Sequence, residues 1–391
     1  MDSNVIQEID FAVIGGGTTG LSAAYYAAAA GHSTALFEQY DIGNNYASSD
    51  GYSRMFRVMY SEENMAQLAE SAFGLWHEIE DSSKQTLLKK NGILFYGTPA
   101  QTVEGNLQQC QDVMTEMGIP YSRYSQPELL SQYPAFKQLP NDYFGLNQPS
   151  GASIVVKDSL GTFARMAQAK GARLYTHCPV QIQRPSQADG PYILTTPRGT
   201  FAARHLIIAP GAWSNPVLKP FGLQLNLKIW QMTVAYFNVP YGSQWPMWYE
   251  FGPEVGGIQQ LFYGFPPMEY PDKVKASADF TNDIFDDPSQ CTYQPDPKIL
   301  KLLSDFMTTR FQHVDPNPQL PVTCLYTMSS DAQIVLDTLP GFKNIAVLTG
   351  ESGRAFKYTP LFGRILVQLA TTGKSTYDIS EFRITRPGII K

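Results

Sequence analysis

The sequence lacks long apolar runs, clustered charge and any grouping of its few cysteines and histidines, and each shortage removes a class of function. No apolar stretch among the 391 residues approaches the roughly 18 to 20 that a membrane-spanning helix needs, and the opening MDSNVIQEID carries acid where a secretory signal carries base. A soluble protein of the cytoplasm with no membrane partner is therefore expected. The four cysteines, Cys110, Cys178, Cys291 and Cys324, lie far apart with no C-x-x-C pair, which argues against a zinc knot or a disulfide framework. The five histidines, His32, His77, His177, His205 and His313, form no ligand spacing and no nucleophile pair, so neither a metal site nor Ser-His chemistry is expected. Basic residues number 29 against 35 acidic ones and are scattered, which sets nucleic acid aside as a partner. What remains is 43% apolar and 13% aromatic, enough for one or two large cores.

The most informative segment is IDFAVIGGGTTGLSAAYYAAAAGHSTALFEQY. It reads as a strand (Phe11 to Ile14), a glycine turn, an alanine-rich helix and a second strand (Thr34 to Phe37) ending at Glu38. Gly15, Gly17 and Gly20 give the G-x-G-x-x-G spacing of a dinucleotide-binding βαβ unit. The first glycine permits the tight turn, the second lets backbone approach a pyrophosphate, and the third lets helix pack on strand. N–H groups at the helix start, around Thr18 and Thr19, face the phosphates, and Glu38 sits where an acid accepts from a ribose hydroxyl. This motif does not distinguish FAD from NAD.

Beyond that unit, DIGNNYASSDGYSRMFRVMYSEE reads as a polar loop with two arginines, followed by a helix from about Asn64 to Glu80. Short strands such as Ile93 to Gly97 then mix with helices and prolines, a helical pattern begins near Asp158, and RLYTH, PVQIQ and the buried run His205 to Ala209 read as strands. QMTVAYFNV and IQQLFYGF are β-prone, and little helix is expected from about 223 until Pro297. The strand Asn344 to Gly350 leads into TGESGRAFKYTPLFG and a last helix, Pro360 to Ala370. Strands that return so late in the chain imply an interrupted α/β domain. Its expected parts are 1–86, 151–222 and 325–391, with 87–150 and 223–324 forming a second α+β domain on a mostly antiparallel sheet.

Several motifs together resemble the monomeric sarcosine oxidase family of flavin amine oxidases, within the D-amino-acid-oxidase-like superfamily. They are the G-x-G-x-x-G with Glu38, SSDGYSRMFRVMY, YGF at Tyr263 to Phe265, CLYT at Cys324 to Thr327, GRAFKYTPLFG and TGKSTYDISEFRITRP. Within the family, LPNDYFGLNQPSGA, LFYGF, VDPNP, AFKYTPLFGR and the VEGN around Glu104 are most similar to the branch of piperideine-2-carboxylate oxidases of the nikkomycin pathway. The resemblance implies a monomer with an FAD-binding domain of glutathione-reductase type. The implied activity is oxidation of a secondary, cyclic or imino amino acid, with hydride passing to flavin N5 and O2 giving H2O2. Two alternatives stay open: an oxidase of sarcosine or another N-methyl amino acid, and a flavin dehydrogenase with a non-oxygen acceptor.

The same resemblance assigns roles by position. Cys324 corresponds to a cysteine joined to the flavin by an 8α-thioether. Arg57 and Lys357 correspond to the pair that grips the substrate carboxylate. Ser53, Arg54, Pro179, Gly211, Ala355, Phe356 and also Lys357 fall at flavin-contacting positions. Lys275 falls near the lysine that assists oxygen reduction, with Lys273 as a competitor, and Tyr263, Asp279 and Glu104 match pocket-lining residues. Arg354 departs from the family, whose members carry histidine or tryptophan there, and it counts among both the flavin and the substrate contacts. A third cation beside Arg57 and Lys357 needs a counter-charge. Either an internal acid supplies it, Glu104, Asp279 or Glu351, or the substrate bears a second anionic or accepting group.

Overall fold

The computed structural model describes residues 6–183 and 190–391. Strand β1 (Gln7–Ile14) is buried on both faces from Phe11 onward, as a central parallel strand must be. Helix α1 (Thr18–Ala29) follows, and β2 (Thr34–Phe37) returns parallel to β1 with Ile14 opposite Phe37. The parallel set is completed by 173–175 beside β2, by 199–208 on the other side of β1, and by 345–349 beyond it. All five strands end on the side where the glycine turn lies. A crevice outside the carboxyl ends of parallel strands is where this architecture holds ligands.

Small side chains determine how closely α1 can pack. Its buried residues are mostly small, Ala23, Ala24, Ala27 and Ala28 with Gly20 and Ser22, and helix Thr359–Thr372 crosses it where Gly363 meets Ser22. A β-carbon on Gly363 would lie 2.2 Å from Ser22 Oγ and 2.7 Å from the Ser22 carbonyl carbon, so the helices must separate to admit it. Gly363→Ala is expected to cost about 1–3 kcal/mol, read as a lower urea midpoint with an unchanged slope.

A second sheet of nine strands carries the other half of the molecule, and it is antiparallel apart from the parallel pair 93–97 and 248–255. Its longest strands, Leu227–Asn238 and Gln319–Ser329, pair along their length and put Cys324 opposite Met232. Helix Pro297–Arg310 is tied to this sheet by Arg310, whose Nε and Nη2 donate to the buried Glu250 carboxylate at 2.8–2.9 Å.

One expectation needs correction. The segment read as a polar loop contains strand Ser53–Phe56, paired antiparallel with Ala152–Val155 in a three-stranded sheet. Four residues are too few for a period to register, and the partner strand lies about a hundred positions away. The pairing matters because it fixes Ser53 and Arg54 and delivers the chain directly to Arg57.

Candidate active site

The turn after β1 opens a cavity of about 450 Å³. Gly15 has φ +107°, and a β-carbon there would fall 2.3 Å from the Ala209 carbonyl oxygen. A β-carbon on Gly20 would lie 2.0 Å from Gly15 O, so this glycine lets α1 approach the turn. Gly17 differs: its missing β-carbon would meet only Ser49 Oγ, at 3.4 Å, which leaves the backbone open to the cavity. The N-cap of α1, Gly17, has no side chain to cap it, and Thr18 N makes only a long 3.4 Å bond to Ser49 Oγ, so the helix start can serve an anion. Glu38 accepts from Gly16 N at 2.6 Å and Tyr40 N at 2.8 Å, and each carboxylate oxygen keeps a lone pair for a hydroxyl. These features suit a dinucleotide. Thr18, Thr19, Arg54, Pro179, Gly211, Ala355 and Phe356 line the same cavity. Arg54 is fixed by donating to the carbonyls of Ser48, Asp50 and Ser53, with its guanidinium 5.8 Å from the Phe356 ring.

A smaller cavity of about 90 Å³ adjoins the first, with Arg54, Tyr326, Gly353 and Phe356 as walls common to both. Arg57, Glu104, Tyr263, Lys275, Asp279, Cys324, Arg354 and Lys357 all line it, together with Ser53. Residues from six separate chain segments therefore converge on one space.

Its charges are arranged in layers. Arg57 is 7% exposed, stacks 4.0 Å over Tyr60 and 4.8 Å over Phe95, and donates to Met59 O at 2.6 Å. Burial disfavours its charge, but Tyr60 and Glu104 more than compensate and hold its pKa above the usual value. Lys357 donates to Arg354 O at 2.9 Å, and burial keeps its ammonium below the usual lysine value, with Tyr60 opposing and Arg57 adding to the shift. Glu104 is the counter-charge: its Oε1 accepts from Arg354 Nη2 at 2.9 Å and its Oε2 lies 3.6 Å from Arg57 Nη2. Burial pushes the Glu104 carboxyl up, yet Arg354 and Arg57 outweigh it and the net shift is downward.

Arg354 thus pairs with Glu104, and also lies 3.5 Å from Glu62, a residue the sequence reading did not single out. Glu351 instead lines the larger cavity, where burial raises its pKa to about 7. Asp279 accepts from Tyr249 OH at 2.7 Å, and burial followed by repulsion from Glu104 raises it to about 6. Tyr263 OH is 3.3 Å from Tyr326 OH. The two lysine candidates separate: Lys275 is buried, donates to Ser53 Oγ at 2.6 Å and to Ser53 O at 3.0 Å, and sits 4.1 Å over Phe265. Lys273 pairs with Asp272 at 2.9 Å and does not line the cavity. Ser53 thereby acts as the acceptor for Lys275.

Tyr60, Glu62, Tyr249 and Tyr326 are the functional neighbours missing from the sequence reading. Tyr60 and Glu62 closely follow Arg57 in RVMYSEE, so proximity alone could have flagged them. Tyr326 lies inside the CLYT already tied to Cys324. Tyr249 is recognisable only through the register that sets it opposite Tyr263.

Comparison with known proteins agrees with this architecture. The human peroxisomal sarcosine oxidase (Homo sapiens) is 28% identical, with 96% of each chain covered. The monomeric sarcosine oxidase of Bacillus sp. (strain NS-129) is 24% identical, with 98% of each covered. Among solved structures, the open form of NikD, described as an unusual amino acid oxidase essential for nikkomycin biosynthesis, superposes with a TM-score of 0.88 at 29% identity, over 96% of this chain and 97% of that one. Residues 10–369 match the family described as FAD dependent oxidoreductase (DAO), and with the glycine turn, the dinucleotide cavity and the adjoining charged pocket this makes the chain a member of that family, an α/β FAD-dependent oxidoreductase.

Proposed function

We propose that the protein is an amino acid oxidase whose substrate is a small secondary, cyclic or imino amino acid bound by its carboxylate. What carries this reading is the wall shared by the two cavities, which sets a cation-lined pocket directly beside a dinucleotide site. FAD fits the larger cavity by the open backbone at Gly17, the uncapped start of α1 and the spare acceptor capacity of Glu38. When bound, it supplies the hydride acceptor and passes electrons on to O2, giving H2O2. Arg57 and Lys357 hold the α-carboxylate, the planar guanidinium pairing both oxygens and the ammonium adding a point charge. That grip, with the walls of Tyr249, Tyr263 and Tyr326, aims the carbon next to the carboxylate. Asp279, with its carboxyl near 6, is the acceptor for a proton leaving the substrate nitrogen. Lys275 provides positive charge where oxygen is reduced.

Pocket size limits the substrate. About 90 Å³ has room for on the order of six to nine water-sized groups, which spans N-methyl amino acids and five- or six-membered cyclic ones. Mixing the enzyme anaerobically with such a panel should bleach the flavin absorbance, and admitting air should restore it with one H2O2 formed per turnover. If nothing in the panel bleaches it, the reading fails; if bleaching occurs but air does not restore the colour, a dehydrogenase with another acceptor takes its place.

Covalent attachment at Cys324 belongs to the same proposal. The thiol lines the smaller cavity on Gln319–Ser329, a strand whose only partner strand among the described residues is Leu227–Asn238, and burial raises its pKa while Arg54 and Lys275 favour the thiolate. After acid precipitation the yellow colour is expected to stay with the protein pellet, whereas Cys324→Ser should release it to the supernatant. A monomer in the cytoplasm completes the reading. Among the described residues no helix is long and apolar enough to cross a membrane.

A further inference from the structure

Arg354 has more hydrogen-bonding capacity than the protein uses. The residue is 6% exposed and lines the smaller cavity, yet of its five N–H donors only Nη2 has a partner, Glu104 Oε1 at 2.9 Å. Nε and Nη1 have none. Glu62 lies 3.5 Å from Nη1 without forming a hydrogen bond, and its side chain is 35% exposed, so it balances charge only from the rim. A buried donor left unmade is costly, and natural sites keep one where a ligand completes it.

Charge counting leads to the same place. Arg57, Arg354 and Lys357 bring three positive charges to one wall, and Glu104 is the carboxylate in contact with two of them. A substrate with one carboxylate engages Arg57 and Lys357 and leaves Nε and Nη1 of Arg354 without a hydrogen-bond partner. The Lys357 ammonium is anchored on the Arg354 carbonyl at 2.9 Å and the Arg354 guanidinium on Glu104 at 2.9 Å, so both cationic groups have fixed anchors. A substrate with two acids a few bonds apart could meet both. The pocket volume of about 90 Å³ keeps such a molecule short.

We propose that Arg354 is a specificity residue that binds a second acidic group, so that the enzyme prefers a small dicarboxylic secondary amino acid; this rests on the amino acid oxidase reading above. Glu104 has a matching part. It holds Arg354 in the pocket when no substrate is present, and it turns Nη2 away so that Nε and Nη1 are the donors left for the ligand.

The test compares sarcosine and proline with iminodiacetate and N-methylaspartate in the wild type, Arg354→Gln and Arg354→Lys, with the flavin spectrum and thermal midpoint checking that each variant is folded. The wild type should show the higher kcat/KM on the diacids. Arg354→Gln should lower the ratio of diacid to monoacid kcat/KM at least about tenfold, whatever it does to the monoacids alone, and Arg354→Lys should recover part of that ratio. A binding arm free of turnover uses the unreactive ethers diglycolate and methoxyacetate, followed by perturbation of the flavin spectrum. Diglycolate should bind the wild type more tightly than methoxyacetate, and Arg354→Gln should erase the difference. Equal losses on monoacids and diacids, or no diacid preference in the wild type, would overturn the proposal while leaving the oxidase reading intact. If no amine is oxidised but diglycolate binding still depends on Arg354, the oxidase reading fails and the second-acid site stands.

Discussion

Replacing Lys275 with methionine is expected to slow the reaction of the reduced enzyme with oxygen by about 10²–10³-fold while leaving anaerobic reduction by substrate within a few-fold of the wild type. Oxygen gains negative charge as it is reduced, and in a pocket of low dielectric a fixed cation favours that change far more than it would in water. Lys275 is suited to this task because it is 7% exposed, held on Ser53 by two hydrogen bonds, and 4.1 Å above the Phe265 ring. Burial, reinforced by Arg54, brings its pKa down to about 7. The ammonium is therefore charged below about pH 7 and neutral above it, so oxygen reactivity of the wild type should fall as pH rises through that value. Methionine keeps the volume and removes the charge, so the variant should lack this step in pH. Stopped-flow reoxidation across pH 6 to 9 measures both effects, with Lys273→Met as a control expected to behave as the wild type. Unchanged reoxidation in Lys275→Met, with the pH step still present, would remove Lys275 from the oxygen chemistry.

Much of the dinucleotide half could be read from residues close together in the chain. The glycine spacing, the alanine-rich helix and Glu38 fall within one βαβ unit, and β2 spans Thr34 to Phe37 as expected. Local signals of that kind also gave the helix beginning at Pro297 and the strand Ile93–Gly97. Strand Ser53–Phe56 escaped because its only support is a distant partner, Ala152–Val155. In the candidate site, the cations could be named one by one, but their counter-charges could not be assigned. Arg354 and Glu104 are 250 positions apart, and three acids were equally reasonable partners until the fold brought Glu104 to 2.9 Å and left Glu351 in the other cavity. Tyr249 illustrates the same limit, since its place beside Asp279 depends on cross-strand register. Composition and spacing carry such information only when the partner lies within a turn or two.

The carboxylate grip gives the other large effect. Arg57→Met should lower kcat/KM by about 10²–10³-fold, the usual consequence of removing one member of a buried, hydrogen-bonded charge pair. Arg57→Lys should not restore it, because on the proposed grip the guanidinium plane serves two carboxylate oxygens as well as stacking at 4.0 Å on Tyr60. Lys357→Met should cost a similar amount, but the double variant should lose much less than the product of the two single losses, since the proposed grip puts both groups on one carboxylate. A pH effect accompanies this. Burial lowers the Lys357 pKa, with Arg57 contributing, so the free enzyme should lose its grip as pH rises at a lower pH than an exposed lysine would titrate. The alkaline limb of the kcat/KM profile reports this step, because kcat/KM follows groups of the free enzyme. In Arg57→Met that limb should move to higher pH, as one repelling charge next to Lys357 is gone. Losses that simply multiply, with an alkaline limb that stays where it was, would mean that the two cations do not share a ligand, and the substrate carboxylate would then have to be sought elsewhere in the pocket.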